Sequence, residues 1–328
     1  DYPRGRGLIL DSIREERMDY TPDLVQSIYN CCLCGLCWSN CEGGYRPHQL
    51  ILSSRKDIAG AGMAPEAAYC MIRSIESGKD PYGGQGRIYR GNNRKADILY
   101  FMGDHIKFSG HDIADSVEKI MQKAGDKYAI LKDEPTDGKI MALLGFSQKA
   151  EEAAKRLNRR FKEIGPETII VSDPLSYDCL KNDFPCYGIE PEAEVIHISE
   201  YIEGLMDQGK IIVGSVDDTT TLMDSEFLGR FNGIYDAPRN IIKAVCGKDY
   251  REMGKAREYA LATGEASFLF NGIPMAMRKM IGSRLCEAAA ETGVKNAVVL
   301  SGTARENLKG CSEIEVFEIS EFIWQNIR

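Results

Sequence analysis

The chain has no apolar run approaching the roughly 20 residues that cross a bilayer, and no charged-then-apolar stretch at its start that reads as a secretory leader. It also has no block rich in lysine or arginine. With a formal net charge of −8 there is no basic face for a phosphate backbone, so nucleic acid is not expected as a partner. Outside one stretch, cysteine is missing from any pair at a ligand spacing: Cys70, Cys179, Cys186, Cys246, Cys286 and Cys311 are dispersed, and each reads as a small buried hydrophobe. A disulfide framework is therefore not expected. These absences lead to the expectation of a soluble, cytoplasmic protein with no membrane span, leaving open peripheral attachment to a membrane complex. The first residue is Asp1 rather than methionine, which leaves processing or an upstream segment open as well. At 328 residues, 43% hydrophobic and 27% charged, the chain has ordinary globular composition and room for two or three compact units.

What is present is a run of thiols. The stretch 29–44, YNCCLCGLCWSNCEGG, places Cys31, Cys34, Cys37 and Cys41 in the pattern C-x2-C-x2-C-x3-C. Short, even gaps of this kind let one tight loop wrap an iron–sulfur cluster while backbone N–H groups point at the sulfurs. Zinc usually takes its ligands as two separated pairs, so the spacing favours iron and sulfide over zinc or purely structural thiols. Two-cluster ferredoxins usually have proline after the fourth cysteine. Here Glu42 follows Cys41 and the chain has no second run, so one 4Fe-4S cluster closed locally by Cys41 is the expected count. Cys32 breaks the spacing to Cys34 and is read as a bystander.

Around this loop the pattern is helical. Leu8, Ile9 and Ile13, then Leu24, Val25 and Ile28, mark apolar faces, with Thr21-Pro22-Asp23 as a cap between them. Residues 48–59 and 65–77 read as two more helices, giving a small helical cluster domain over residues 1–78. Residues 79–95 are rich in glycine, asparagine and arginine and read as a linker; Gly83-Gly84-Gln85-Gly86 has neither the preceding strand nor the Gly-Lys-Ser/Thr of a phosphate loop. From Ala96 strands alternate with helices: 97–102, 128–131, 168–171, 194–198 and 210–213 read as strands. The fold class expected is α/β, a helical cluster domain followed by mostly parallel sheets. The second half echoes the first. Phe108-Ser109-Gly110 returns as Phe231-Asn232-Gly233, and the segment after Ile164-Gly165 returns after Thr292-Gly293, setting Ser176 opposite Ala304. Two pseudo-symmetric α/β repeats, 96–214 and 215–328, are expected, with a crevice between them.

These features together resemble the iron–sulfur family that includes heterodisulfide reductase subunits and the iron–sulfur subunit of anaerobic glycerol-3-phosphate dehydrogenase. YPRGRGLIL resembles the family's segment between two cluster motifs, and SIYNCCLCGLCWSNC falls where its second motif falls; the first motif is absent. The remainder resembles two repeats named for a Cys-Cys-Gly triplet, both degenerate. In the first, Gly103-Asp104 stands for Gly-Cys, Thr136-Asp137-Gly138 for Cys-Cys-Gly, and Ser176 for a later cysteine. In the second, residues 224–230, DSEFLGR, stand for Asp-Pro-Cys-His-Leu-Gly-Arg, Ala262-Thr263-Gly264 for Cys-Cys-Gly, and residues 301–304 for the last Cys-Pro-x-Cys. Hydroxyls and carboxylates do not replace a set of soft thiolate ligands, so these repeats are expected to hold no iron.

What the resemblance implies is an electron-transfer subunit of an anaerobic, multi-subunit cytoplasmic oxidoreductase. Its partners are expected to be flavin or iron–sulfur subunits in a hetero-oligomer, its cofactor one 4Fe-4S cluster on Cys31, Cys34, Cys37 and Cys41, and its repeats a docking scaffold with no catalytic residues. The alternatives are a catalytic heterodisulfide or quinone reductase working in the crevice, and a non-redox scaffold with a structural cluster. A partial thiol site on Cys179 and Cys186 also stays open, as does an acid–base or metal site from Asp104, His105, His111, Asp137 and Glu226. Arg230 and Arg239 are read either as an anion clamp or as a surface ion pair. Trp38 and Trp324 are read as packing residues, although Trp38 beside the cluster would shield it from water.

Overall fold

The computed structural model describes residues 3–82, 89, 91, 92, 94–266, 275–310 and 313–328, with backbone alone for 275–278. The Gly83–Gly86 segment and Cys311 lie outside them. Two parallel sheets form the body, as the α/β expectation requires. Strands β1 (Ile98–Phe101), β2 (Tyr128–Ile130), β3 (Thr168–Val171) and β4 (Glu194–His197) make a sheet of order β2-β1-β3-β4. Strands β5 (Thr220–Leu222), β6 (Asn296–Val299) and β7 (Glu315–Glu318) make a second of order β5-β6-β7. Every pairing is parallel. The strands are short, and β1 and β3 are nearly continuously apolar, as in parallel sheets covered on both faces.

The second sheet runs in the order of β1-β3-β4. An isolated parallel bridge from Thr220 to Tyr250 stands beside β5 where β2 stands beside β1. The last strand of each sheet ends in the same device. His197 accepts from the Ser199 N–H while Glu200 reaches back to the His197 N–H; Glu318, Ser320 and Glu321 do the same before the helix Ile319–Asn326. Such reciprocal caps satisfy two orphan N–H donors at the start of a helix.

Residues 210–213 differ from expectation. Only Val213 pairs, in a single antiparallel bridge to Ile327, because Ser199 already opens the helix Ile198–Asp207 and the chain then turns towards the second sheet. Residues 141–143 belong to a short helix, Lys139–Leu143.

One apolar core runs through both sheets, from Leu99, Phe101 and Ile170 to Leu222, Ile241, Val298 and Ile323. The amino-terminal helices, Pro3–Arg14, Pro22–Tyr29, Pro47–Gly60 and Glu66–Glu76, bury Leu24, Ile28, Ile51, Ile58, Met71 and Ile72. They do so together with Ile140, Leu143, Leu144 and Ala153 of the body. The helical unit thus shares its core with the first α/β unit and is not sealed on its own. Among the described residues no helix is long and apolar enough to cross a membrane.

Candidate metal centre

The helix Pro22–Tyr29 delivers the chain into the cysteine loop. Thr21 caps its start, the side-chain oxygen accepting from the Leu24 N–H at 3.3 Å, and Pro22 fits the first turn, where no N–H is needed. Its carboxyl end is held from outside the helix. Arg55, buried in the helix Pro47–Gly60, donates to the carbonyls of Ile28 and Tyr29 at 3.2 Å each, Cys31 at 2.7 Å and Leu143 at 2.8 Å. A cation at the negative end of a helix satisfies carbonyls that the helix itself leaves open. Burial depresses the Arg55 guanidinium to about 10, still charged at neutral pH.

The loop then uses two left-handed residues. Leu33, buried, has φ +55° and Gly35 has φ +70°. A buried leucine in that region is a strained conformation of order 1–3 kcal/mol that the surroundings must enforce. At Gly35 a side chain is excluded twice: by φ, and because a Cβ there would stand 2.9 Å from the Phe231 ring and 3.1 Å from Arg230 Cδ. Gly35 starts the short helix Leu36–Ser39, from which Trp38 lies parallel to Phe231 at 6.3 Å between ring centroids. Arg46 lies over the Trp38 ring at 4.4 Å, and His48 packs against Trp38 and Phe231, its imidazole pushed down to about 4 by burial and then by Arg46.

The second α/β unit holds the far side of the loop. Arg230, buried, donates from Nη1 to the Cys34 carbonyl at 2.5 Å and from Nε to Ser39 Oγ at 3.1 Å and the Glu258 carbonyl at 3.0 Å. Its Nη2 reaches the Ala260 carbonyl at 2.7 Å. Arg239 is buried too, in a two-pronged pair with Asp224 at 2.7 Å on both prongs and a second pair with Glu252. Neither is the surface ion pair that the sequence allowed. Both fold inward because the turn Glu226–Arg230 and the helix Asp236–Cys246 are covered by other segments of the chain.

Cys31, Cys32, Cys34, Cys37 and Cys41 are all half-buried and none is in a disulfide. Cys31 and Cys37 border the same small cavity, beside Arg6, His48 and Ile51. The Cys37 thiol is pushed up to about 11 by burial and then by Cys34 and Cys31, so these three sulfurs sense one another. Cys32 and Cys34 share a hydrogen bond that pushes Cys32 well up and draws Cys34 down. Among the described residues no three His, Cys, Asp or Glu side chains are arranged to hold a metal ion. The donor chemistry of the loop nevertheless fits an iron–sulfur cluster: several soft ligands on one tight turn, its carbonyls tied outward to arginines, its apolar side walled by Leu33 and Ile51.

The positions that the resemblance sets against further thiols are buried, in two polar groups. Asp104 accepts from Thr136 Oγ1 at 2.6 Å and pairs with Lys107 at 2.9 Å. Asp137 accepts from the Lys139 N–H at 2.7 Å and from Ser176; a methyl on Gly103 would come within 2.3 Å of Ser176 Oγ. In the second group Glu226 accepts from the Thr263 hydroxyl and from the Gly264 N–H at 2.8 Å, and Ala304 is fully buried. Asp137 is raised to about 6 by burial and then by Asp104. Asp173 is raised to about 8 by burial and then by Asp137.

His105 and His111 do not join this group. His105 packs against Tyr82, depressed to about 4 by burial and then Arg305, and His111 contacts the Lys107 carbonyl. Cys179 is buried, its thiol donating to the Asp137 carbonyl at 3.5 Å, whereas Cys186 is exposed, so the two do not form a site. Cys246 and Cys286 are buried as expected, but Cys70 is exposed.

Neither Arg55 nor Asp173 is among the candidates that the sequence offers. For Arg55 the signal was present: residues 51, 55 and 58 share one helical face, and a lone arginine between two isoleucines on a buried face needs carbonyl or carboxylate partners.

No family model matches the chain. It is 25% identical to the probable iron-sulfur-binding oxidoreductase FadF of Bacillus subtilis, covering 94% of this chain and 49% of FadF. It is 26% identical to a subunit of the dihydromethanophenazine:CoB–CoM heterodisulfide reductase of Methanosarcina acetivorans, covering 89% of this chain and 76% of the other. To the EtfAB:quinone oxidoreductase of Syntrophomonas wolfei it is 26% identical over 73% of this chain and 36% of that protein. It therefore spans about half the length of FadF and about three quarters of the Methanosarcina protein. Among solved structures, a hypothetical protein from Helicobacter pylori shares the fold alone, at a TM-score of 0.50 and 8% identity over 90% of this chain and 56% of that one. With a cysteine loop packed on two parallel α/β units, the chain is similar over most of its length to the methanogen heterodisulfide reductase subunits and to FadF-type iron–sulfur oxidoreductases.

Proposed function

We propose that the chain is the electron-relaying part of a multi-subunit oxidoreductase, with one 4Fe-4S cluster on Cys31, Cys34, Cys37 and Cys41. The α/β body acts as the scaffold that sets the cluster's distance from cofactors on neighbouring flavin or iron–sulfur subunits. The observation that carries this reading is the anchoring of the cysteine loop from two sides, by Arg55 on the Cys31 carbonyl and Arg230 on the Cys34 carbonyl. A loop fixed in that way is pre-shaped for a rigid inorganic group. Such a cluster, when bound, takes up and returns single electrons. The chain's own contribution is to bind it through thiolates, orient the loop, and exclude water with Leu33, Ile51 and the Trp38–Phe231 stack. The names of FadF, the heterodisulfide reductase subunit and the EtfAB:quinone oxidoreductase are in keeping with this role.

The catalytic alternative requires thiolates in the crevice. The corresponding positions hold Asp104, Asp137, Ser176, Glu226, Thr263 and Ala304, which are buried and, apart from Ala304, engage one another or the backbone through their side chains. These donors support a structural polar network there. Anaerobic co-purification tests the relay: dithionite reduction of the isolated chain should bleach its visible absorption, and the co-purifying subunit should restore it by accepting the electron. Reduction that no co-purifying protein reverses would favour a structural cluster instead.

A further inference from the structure

The cysteine loop is tied to the second α/β unit by a residue outside the cluster-binding segment. We propose that Arg230 is a positioning residue for the cysteine loop, and that its buried positive charge holds the reduced state of the centre at a higher potential than the loop alone would give. The inference rests on the cluster reading above.

Three observations support it. Arg230 uses Nε, Nη1 and Nη2, binding the loop at the Cys34 carbonyl and Ser39 Oγ and its own unit at the Glu258 and Ala260 carbonyls. It is the planar, multi-pronged donor geometry that arginine offers and lysine does not. The backbone is shaped to admit it, since Gly35 leaves the space that Arg230 Cδ and the Phe231 ring occupy. Finally, no carboxylate pairs with Arg230 at salt-bridge distance among the described residues; the acceptors named above are neutral, whereas Arg239 nine residues on is neutralised by Asp224 and Glu252. No carboxylate therefore neutralises Arg230 in a direct pair, and the buried Glu226 also acts on Cys34, with the opposite sign. Reduction adds one electron, and so one negative charge, to whatever group the thiolates hold. A cation within the same buried region stabilises that added charge, and at a separation on the order of 10 Å in an effective dielectric of about 20 the equilibrium moves roughly tenfold.

The test uses the full chain, reconstituted anaerobically with iron and sulfide, as wild type, Arg230→Gln and Arg230→Lys. The readouts are iron content and the midpoint of a dithionite titration followed by electron paramagnetic resonance. Arg230→Gln should lower the midpoint by about tenfold in the reduction equilibrium, ~59 mV for one electron, and Arg230→Lys should restore most of it. Loss of iron in Arg230→Gln with retention in Arg230→Lys also supports the proposal, because lysine keeps the charge that glutamine removes. Should both variants lose iron, urea denaturation of the iron-free chains serves as the second measurement: an unfolding midpoint equal to wild type supports the proposal, and a lowered one assigns the effect to packing and overturns it. Wild-type midpoint and iron content in Arg230→Gln overturn it directly. A wild-type chain that takes up no iron would instead overturn the cluster reading, so the two failures are separable.

Discussion

Replacing Gly35 by alanine should destabilise the chain by two separable effects. The first is conformational: an L-residue held at φ +70° costs about 1–2 kcal/mol. The second is steric, since the new methyl would stand 2.9 Å from Phe231 Cζ and 3.1 Å from Arg230 Cδ, and both are anchored, one in an aromatic stack and the other by hydrogen bonds. Overpacking of that kind costs about 1–3 kcal/mol. Gly44 supplies the control within the same loop. Its φ is +67°, but a methyl placed there would meet no atom within 4 Å, so Gly44→Ala should carry the conformational cost alone. Urea denaturation of both variants should place Gly35→Ala below Gly44→Ala by about 1–3 kcal/mol. Equal losses would show that the loop does not press against the second α/β unit, and the anchoring by Arg230 and Phe231 would fall with it.

Serine in place of Cys31, Cys34, Cys37 or Cys41 should each abolish or strongly reduce iron uptake, while Cys32→Ser should keep it; iron assays after anaerobic reconstitution decide. The buried carboxylates give a pH signature. Asp137 and Asp173 keep their protons to about 6 and about 8 in the fold but release them near the ordinary aspartate value when unfolded. Between about pH 4 and pH 8 the folded state binds more protons, so stability should fall as pH rises through that window. Asp173→Asn should flatten the fall in urea midpoints measured across it. Arg239→Met strands the buried Asp224 carboxylate and should cost about 3–5 kcal/mol in the same denaturation assay; Asp224→Asn in addition should recover part of the loss.

The elements that the sequence disclosed were those built from short-range signals. Thr21-Pro22 opened a helix where a cap and a fixed φ predict one, and the apolar run 168–171 became β3 because a strand covered on both faces has no polar positions to blur it. Residues 210–213 looked equally strand-like but had no neighbouring strand to pair with, and periodicity carries no information on pairing. The thiol spacing marked the loop, but the arginines that fix it come from residues 24 and 196 positions away from the carbonyls they hold. Contacts at that separation are set by how units pack. The same holds for Asp104, Asp137 and Glu226, which read as capping or surface groups in the sequence but are buried in the fold. A quieter clue lies in HISEYI after β4 and EISEFI after β7, which are the same capped strand-to-helix turn.

The most direct test of the central claim is the iron and acid-labile sulfide content of the chain, purified and handled without oxygen. A single cluster on Cys31, Cys34, Cys37 and Cys41 predicts about four irons and about four sulfides per chain. Eight or more irons, or zinc without sulfide, would contradict it.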